Sequence, residues 1–479
     1  MHFSKEIIND HLDPNRVKPE QEDIIDVLLQ IKKEKTFTYD LSMDNIKAVL
    51  MDMFVAGTDT SAAMVVWAMT ELIKNPTAMK KVQKEIRDSP ARHKGYVSVE
   101  DLPELEYLKA VVKETFRIQP AAPLLVLRES LQKCTIEGYD IIPKTLVFVN
   151  VWAIGRDPEY WKDPEIFMPE RFLGSSIDYK GNDFMLIPFG AGRRMCPGIL
   201  LGVANFELAL ANLLYSFDWG LPDDMKSEDI DTDTLPGLPI IGNLHQFDPS
   251  KPHIYFAKLA KIYGPILTTR FGTTPAVVVQ SAKTAKEVLH TQDLNFCYRP
   301  SMIATQRLSY KGLDLAFAQS YGYFREIKKI CVVHLLSSKR VESFTPIRQE
   351  EVLRMVNKIS TQISSGLETV NLSELLMSFA SSNICRIAFG KRYDEDEGSN
   401  RSRFHNLLND AQAMFTAFFF TDYFPSIGWL DKLTGQSSRL EKTFTELDVF
   451  YDEIINDHLD PNRPVSETED IIIIIYAEF

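Results

Sequence analysis

Residues Phe189–Gly198 read FGAGRRMCPG, placing one thiol, two guanidinium groups and three glycines within ten residues. Gly190, Gly192 and Gly198 free the backbone to turn sharply and to approach a flat ligand. Cys196 precedes Pro197 and then an apolar helical run, GILLGVANFELALANLLYSF, so its sulfur lies near a helix N-terminus. The helix dipole and the neighbouring Arg193 and Arg194 favour a thiolate there, and the arginines can also clamp carboxylates. A buried thiolate, nearby cations and close glycine backbone together suit an iron porphyrin, with sulfur as axial ligand and propionates on arginine. A structural cysteine in a glycine-rich turn is the plainer reading of such a residue. The joint presence of Phe189, Gly192, Arg194, Cys196 and Gly198 argues against it.

Further chemistry-bearing groups lie upstream. Glu114 and Arg117, in ETFR, are spaced three apart, so they share a helix face and can pair. Alone, such a pair is a routine helix ion pair. Ala56–Thr60, AGTDT, places Gly, Thr and Asp inside an apolar helix, which is costly without a reason. Thr60 can bond back to the Ala56 carbonyl and bend the helix, opening a small polar groove; a kink that only aids packing is the plainer alternative. Arg128 closes the apolar run PLLVLRES, where a surface arginine at a strand end is the plainer alternative.

The elements that must position these groups are mostly helical. Leu41–Pro76 reads as one long helix, apolar over most of its circumference and therefore buried, stopped by Asn75-Pro76. PTAMKKVQKEIRDS and LPELEYLKAVVKETFRIQP read as amphipathic helices. LLVLRES, CTIEGYDI and TLVFVNVWAIG read as short strands, and GPILTTRFGTTPAVVVQS as a strand pair. From about Lys283 to Asp457 most segments look helical. The fold class expected is mainly α with a small β portion.

Bulk properties bound the rest. The 479 residues are 45% hydrophobic and 25% charged, the composition of a globular protein. The net charge of −13 argues against nucleic acid as a partner. The five cysteines are far apart and form no CxxC pair, which makes a disulfide framework or a zinc site a poor expectation. The N-terminus lacks the pattern of a signal peptide, and no stretch reaches the ~18 uncharged apolar residues of a spanning helix.

EIINDHLDPNR occurs at Glu6–Arg16 and again at Glu453–Arg463, and EDII at Glu22–Ile25 recurs at Glu469–Ile472, both at an offset of 447 residues. The residues between the two motifs differ, as in two related but non-identical copies of one place in a fold. A second seam lies near Leu235, where an acidic stretch runs into the Pro/Gly cluster LPGLPIIGN. Two segments are expected, 1–234 and 235–479.

With these residues in hand, the chain resembles the cytochromes P-450, the haem-thiolate monooxygenases. Their signature FxxGxRxCxG is matched at every fixed position by Phe189–Gly198. The resemblance implies haem b (iron protoporphyrin IX), with Cys196 as the iron ligand, and Phe189, Gly192, Arg194 and Arg128 around the cofactor. ETFR matches the family's ExxR, and PERF at Pro169–Phe172 supplies Arg171, which the resemblance joins to Glu114 and Arg117 in a buried structural cluster. Breaking one member would strand a buried charge, at a cost of roughly 3–5 kcal/mol. AGTDT resembles the oxygen groove, with Thr60 and Asp59 as catalytic residues delivering protons during oxygen activation. FREIKKI resembles the early haem-facing helix, with Phe324 and Lys328 standing where the family has Trp and Arg. Phe cannot donate a hydrogen bond and Lys lacks the guanidinium fork.

The family order is reversed here: the later part comes first and the earlier part second. The expected fold is thus a cytochrome P-450 fold that is circularly permuted or fused from two partial copies, fusion being favoured by the diverged repeats. The tail EDIIIIIYAEF reads as truncated, with a β-branched run prone to aggregation. Resemblance is closest to plant members, and on FFFTDYFPSIGWLDKLTG and LDPNR to aldoxime-oxidising enzymes of specialised metabolism. It implies a monooxygenase that takes electrons from an NADPH-dependent reductase and uses O2 to oxidise a small, mostly apolar molecule. Ala56, the stretch Ala121–Leu127 including Leu124, Arg299–Phe317 and Ala411–Phe420 would line the substrate pocket. Cations on Lys80–Arg87 would receive the reductase, or form an ordinary solvated face. The alternative is a haem-binding protein impaired in catalysis, assembled from fused gene fragments. Location at the endoplasmic reticulum membrane follows from the resemblance, with peripheral contact through MFTAFFFTDYFP; the chain itself shows no anchor.

Overall fold

Helix α1, Met43–Lys74, is built by an almost uninterrupted run of apolar residues, among them Ile46, Val49, Leu50, Phe54, Val65 and Leu72, all essentially inaccessible. Ser42 and Asn45 cap its start reciprocally: Asn45 Oδ1 accepts from the Ser42 backbone N–H at 2.8 Å, and the Asn45 N–H donates to Ser42 Oγ at 3.3 Å. It runs unbroken through AGTDT, and Thr58 Oγ1 donates to the Phe54 carbonyl at 2.8 Å within it. The structure, a computed structural model, describes residues 42–221, 251–367, 369–389, 392 and 399–458. The seam near Leu235, the first copy of the repeat, the end of the second and the isoleucine-rich tail lie outside those residues.

The remaining long helices are α2 Pro76–Asp88, α3 Glu106–Ile118, α4 Ile199–Ser216, α5 Pro252–Tyr263, α6 Tyr321–Ile330, α7 Thr345–Ser364, α8 Leu372–Phe389, α9 Ser399–Phe415 and α10 Gln436–His458. The strands are β1 Arg128–Glu129, β2 Cys134–Ile136, β3 Tyr139–Ile141, β4 Leu146–Val149, β5 Ile266–Phe271 and β6 Thr274–Val279. CTIEGYDI thus forms two strands, because Glu137 and Gly138 both take positive φ and turn the chain into a hairpin. TLVFVNVWAIG is a strand only to Val149; Asn150 then caps a helical turn by accepting from the Ala153 N–H at 3.1 Å.

The chain divides into two compact units, and neither follows the seam. One takes in the described residues up to Asp59, with Ser301–Ile347 and Met377 onward; the other holds Thr60–Pro300 and Arg348–Leu376. In the first, Lys47 on α1 pairs with Asp448 and Asp452 on α10, each at 2.7 Å, and Asn45 Nδ2 donates to the Tyr323 hydroxyl on α6 at 2.8 Å. Phe54 packs against Phe389 and Phe450, with ring centroids 6.3 Å away in both cases.

In the second unit the sheet order is β1-β4-β6-β5. β4 and β6 run parallel, Leu146 opposite Ala276 and Val149 opposite Val279. This pairing joins residues from the two sides of the expected seam. Parallel strands demand burial on both faces. Here Val147, Val149, Val277 and Val279 meet Ile187, Ala191, Leu289 and Phe296 in one core, which links the sheet to the segment leading into the cysteine loop.

Among the described residues, two helices, α1 and α4, are long and apolar enough to cross a membrane by length and composition. Each carries charge, Asp52 and Asp59 in α1 and Glu207 in α4, and α4 buries Leu208, Leu210, Leu213 and Leu214 completely.

Candidate functional site

Everything described in the next four paragraphs lies within the unit that holds the sheet. The loop Phe189–Gly198 closes on itself: the Cys196 N–H donates to the Phe189 carbonyl at 3.0 Å, and the Met195 N–H to Gly192 at 3.2 Å. Gly190 and Gly192 have φ of +70° and +69°, in the region that disfavours side chains. The close approach at Gly192 is to protein. A Cβ there would collide with the Leu289 carbonyl of the helical turn Glu287–Thr291. Gly198 caps the start of α4, so Cys196 sits within one turn of that helix's N-terminus. Its side chain is exposed, where the sequence led us to expect burial. The polypeptide engages the cysteine through its backbone and leaves the thiol outside the packed core.

The two arginines of the loop diverge. Arg193 pairs with Asp293, Nε to Oδ2 at 2.9 Å. Arg194 turns inward, is 8% exposed, and donates through Nε to the Cys297 carbonyl at 2.8 Å. Arg128, the possible surface residue, is buried at 3% exposure. Its guanidinium reaches only the Phe296 and Ala191 carbonyls, at 3.3 and 3.5 Å. Burial, with the adjacent Arg194 adding to it, pushes that guanidinium down to about 10. Asp293 acts on Arg128 through its charge, and two guanidinium groups buried side by side call for further negative charge. A ligand bearing carboxylates fits that need, as haem propionates would.

A small cleft is lined by Thr60, Ser61 and Met64 of α1, Phe116 of α3, Ala121, Pro188, Phe189, and Gly202 and Phe206 of α4. Phe189 stands edge-on to Phe116, centroids 5.1 Å apart, and Phe116 edge-on to Phe206 at 5.6 Å. The lining is apolar apart from Thr60 and Ser61, the character of a site for a flat apolar ligand.

Glu114 and Arg117 are both fully buried on α3. Arg117 grips the carboxylate with two bonds, Nε to Oε2 at 2.8 Å and Nη2 to Oε1 at 2.7 Å. Arg171 adds a third at 3.0 Å, and the Met168 N–H a fourth at 2.7 Å. Arg117 Nη1 also donates to the Gly155 and Pro164 carbonyls, each at 2.6 Å. The structure therefore brings these three residues together in a nearly saturated network. It sets the end of α3 against the PERF turn. On α2, Glu85 accepts the Tyr107 and Leu108 N–H groups at the start of α3, at 2.7 and 2.9 Å. Arg87 is committed to the C-terminus of α4, reaching the Tyr215, Leu214 and Phe217 carbonyls at 3.2, 3.2 and 2.9 Å. That capping role corrects the picture of α2 as a face of free cations. Lys80 and Lys84 are exposed, while Lys81 pairs with Glu170.

Leu124 does not border the cleft; its side chain packs on Phe256, Leu267 and Val278 beneath the sheet. Ala56 and Thr60 are exposed one turn apart on the same face of α1. In the other unit, burial raises the Asp59 carboxyl to about 6, Gln412 offsetting part of the rise. Phe324 is buried on α6, and the Lys328 ammonium lies 5.8 Å from its ring centroid. Sequence reasoning missed Ser61, Met64, Pro188, Gly202 and Phe206 as lining. Their helical and turn spacing carried no signal distinct from core packing.

Sequence comparison matches nearly the whole chain to one family. The family model for cytochrome P-450 matches twice, over residues 1–235 and 233–478. Cytochrome P-450 71AP13 of Prunus mume is 53% identical over 233 residues, 49% of this chain and 45% of that protein. The 2-methylbutanal oxime monooxygenase of Manihot esculenta is 46% identical over 227 residues, 47% of this chain and 44% of that protein. A solved zebra fish cytochrome P-450 with abiraterone is 32% identical, covering 35% of this chain and 38% of its own at a TM-score of 0.32. The chain spans about half the length of the curated relatives it matches.

Proposed function

This chain belongs to the cytochrome P-450 family, and we propose that it works as a haem-thiolate monooxygenase on a small, mostly apolar molecule. The observation that carries the reading is the loop of Phe189–Gly198, with Cys196 at the head of α4 and Arg128 and Arg194 buried beside it. When bound, haem supplies the iron at which dioxygen is reduced, one oxygen atom going to substrate and the other to water. Cys196 would hold the iron through its sulfur, and Arg128 and Arg194 would hold the propionates. Phe116, Phe189 and Phe206 would keep water from the cleft, and Thr60 would offer its hydroxyl there. Asp59, the residue before Thr60, holds its carboxyl proton closer to neutral pH than an exposed aspartate does, which suits a proton donor. We carry to Lys328 the role of a cofactor contact and to Ala56 that of a substrate contact.

Electrons would come from an NADPH-dependent reductase, for which the exposed Lys80 and Lys84 offer charge. The cassava relative, by its name, oxidises an oxime; an aldoxime or related plant metabolite is the substrate class we carry to this chain. The endoplasmic reticulum surface is the location we assign with it. We read the reversed order as a fusion of two partial copies, supported by the two family matches that meet at residues 233–235.

The deciding experiment is the absorption spectrum of the dithionite-reduced, carbon monoxide-treated protein beside Cys196→Ala. A long-wavelength Soret band in the parent that is absent from the variant supports the assignment. A short-wavelength band in both overturns it. A second reading, haem binding without turnover, is favoured by Phe324 and Lys328, which hold the aromatic and cationic positions of α6 without an indole N–H or a guanidinium fork. Reductase-supported NADPH consumption coupled to product separates the two.

A further inference from the structure

Seven consecutive residues, Asp293–Arg299, meet three arginines at the cysteine loop, and they belong to the segment after the expected seam. Asp293 Oδ2 accepts from Arg193 Nε at 2.9 Å, the Phe296 carbonyl from Arg128 at 3.3 Å, and the Cys297 carbonyl from Arg194 at 2.8 Å. The same residues run antiparallel beside β1. The Tyr298 carbonyl accepts the Glu129 N–H at 3.0 Å, and the Asn295 carbonyl the Leu131 N–H at 2.9 Å. Where this backbone ladder runs out, two buried side chains extend it. Asn295 offers its amide as a second peptide group: Oδ1 accepts the Gln132 N–H at 2.8 Å, and Nδ2 donates to the Gln132 carbonyl at 3.2 Å. At the other end, Arg299 Nη1 donates to the Val126 and Leu127 carbonyls, each at 2.7 Å.

Arg128 lies between these two clamps. Among the described residues its guanidinium makes long hydrogen bonds, at 3.3 and 3.5 Å, so its own bonds place it loosely. β4 and the Thr145 carbonyl hold one edge of the stretch that carries it. On the edge facing Asn295, β1 is two residues long, and Val126 and Leu131 are 44% and 51% exposed, so packing does little to fix the chain there. Hydrogen bonds from the Asp293–Arg299 segment do that instead.

We propose that Asn295 is a positioning residue for Arg128, clamping the backbone at Gln132 so that the guanidinium stands ready for a carboxylate of the cofactor. The inference rests on the haem reading of the site and deepens it. A side chain already in place loses less freedom when its ligand binds, so the bound group leaves more slowly. The Asn295 amide supplies a donor and an acceptor to one peptide group at once, which neither Ala nor ionised Asp reproduces.

The test uses four full-length, haem-loaded proteins: the parent, Asn295→Ala, Arg128→Met and the double variant. Transfer of haem to an apo-globin acceptor gives the rate of loss. N295A should speed it by about tenfold, within the range that coupled neighbours show. In the R128M background the same change should have less than about a threefold effect. A residue that only supports the fold speeds haem loss equally in both backgrounds; that result, or no change in either, overturns the proposal. Hydrogen exchange of the Glu129, Leu131 and Gln132 amides in the haem-free protein reads the clamp without the cofactor. Exchange there should quicken in N295A, and unchanged protection overturns the proposal as well. Asn295→Ser, whose hydroxyl can still accept the Gln132 N–H, replaces N295A should that variant not melt cooperatively. Quickened exchange together with haem loss that R128M leaves unchanged sinks the assignment of Arg128 to a propionate alone. Haem loss that R128M speeds, with N295A acting equally in both backgrounds, sinks the role of Asn295 alone.

Discussion

At the scale of single residues, the buried charges are the informative ones. Arg128 is 3% exposed and, among the described residues, has long contacts to two carbonyls, with Asp293 acting on it only through its charge. Removing a poorly compensated buried charge is often neutral or stabilising. Arg128→Met should therefore leave the haem-free protein at least as resistant to heat as the parent while speeding loss of haem. Melting scans of the haem-free protein, and transfer of haem to an apo-globin acceptor, would measure the two effects. A large drop in the haem-free midpoint would mean that Arg128 serves the polypeptide and not a ligand. Asp422 poses the opposite problem. It accepts the Ile303 N–H at 2.9 Å, yet burial and the nearby Asp431 raise its carboxyl to about 6. The stability it lends is full below the unfolded value near 4 and is lost as pH rises through about 6. Asp422→Asn keeps an acceptor and removes the titration. It should flatten the fall in stability between pH 5 and 8 by on the order of 2 kcal/mol in urea titrations.

At the scale of elements, two glycines separate geometry that the loop requires from geometry it tolerates. Gly192 has φ of +69° and abuts the Leu289 carbonyl; Gly202, inside α4, has nothing within 4 Å of where a Cβ would stand. Gly192→Ala should cost at least about 2 kcal/mol, from overpacking against a backbone that cannot yield and from the strained φ. Gly202→Ala should raise the stability of the haem-free protein by up to about 1 kcal/mol through helix propensity alone. Denaturant midpoints of the two variants would show the contrast, and equal midpoints would contradict the loop geometry described here. The Glu114 network works at the same scale. Of the four bonds to one buried carboxylate, those from Arg171 and the Met168 N–H tie α3 to the PERF turn, so the helix that carries Phe116 into the cleft is fixed in register.

At the scale of the whole molecule, the parallel pairing of β4 with β6 matters most. It brings Val147 and Val149 beside Val277 and Val279 from beyond the seam, and the same core holds Ala191 of the cysteine loop and Leu289 beneath it. The later sequence is thus part of the support of Cys196. Val279→Asp, far from the cysteine along the chain, should place an unpaired charge in that core and abolish the thiolate-type carbon monoxide spectrum. Retention of that spectrum would show that the first segment holds haem without the second.

The sequence by itself singled out the cysteine loop as the candidate site, because five fixed residue types within ten positions leave few alternatives. It also determined the long apolar helix and the mainly helical class, both set by short-range periodicity, while the joining of Arg171 to Glu114 and Arg117 was implied by the family resemblance. Only the tertiary structure decided that Arg128 is buried beside Arg194, that Arg87 caps a helix, and that Leu124 packs under the sheet. It likewise decided that the compact units ignore the seam. Each of these depends on which segments meet after the chain has closed over a hundred or more residues, or on which of several similar side chains turns inward. Local spacing encodes a helix face or a strand face, but the partner that covers that face is chosen by packing of the whole core.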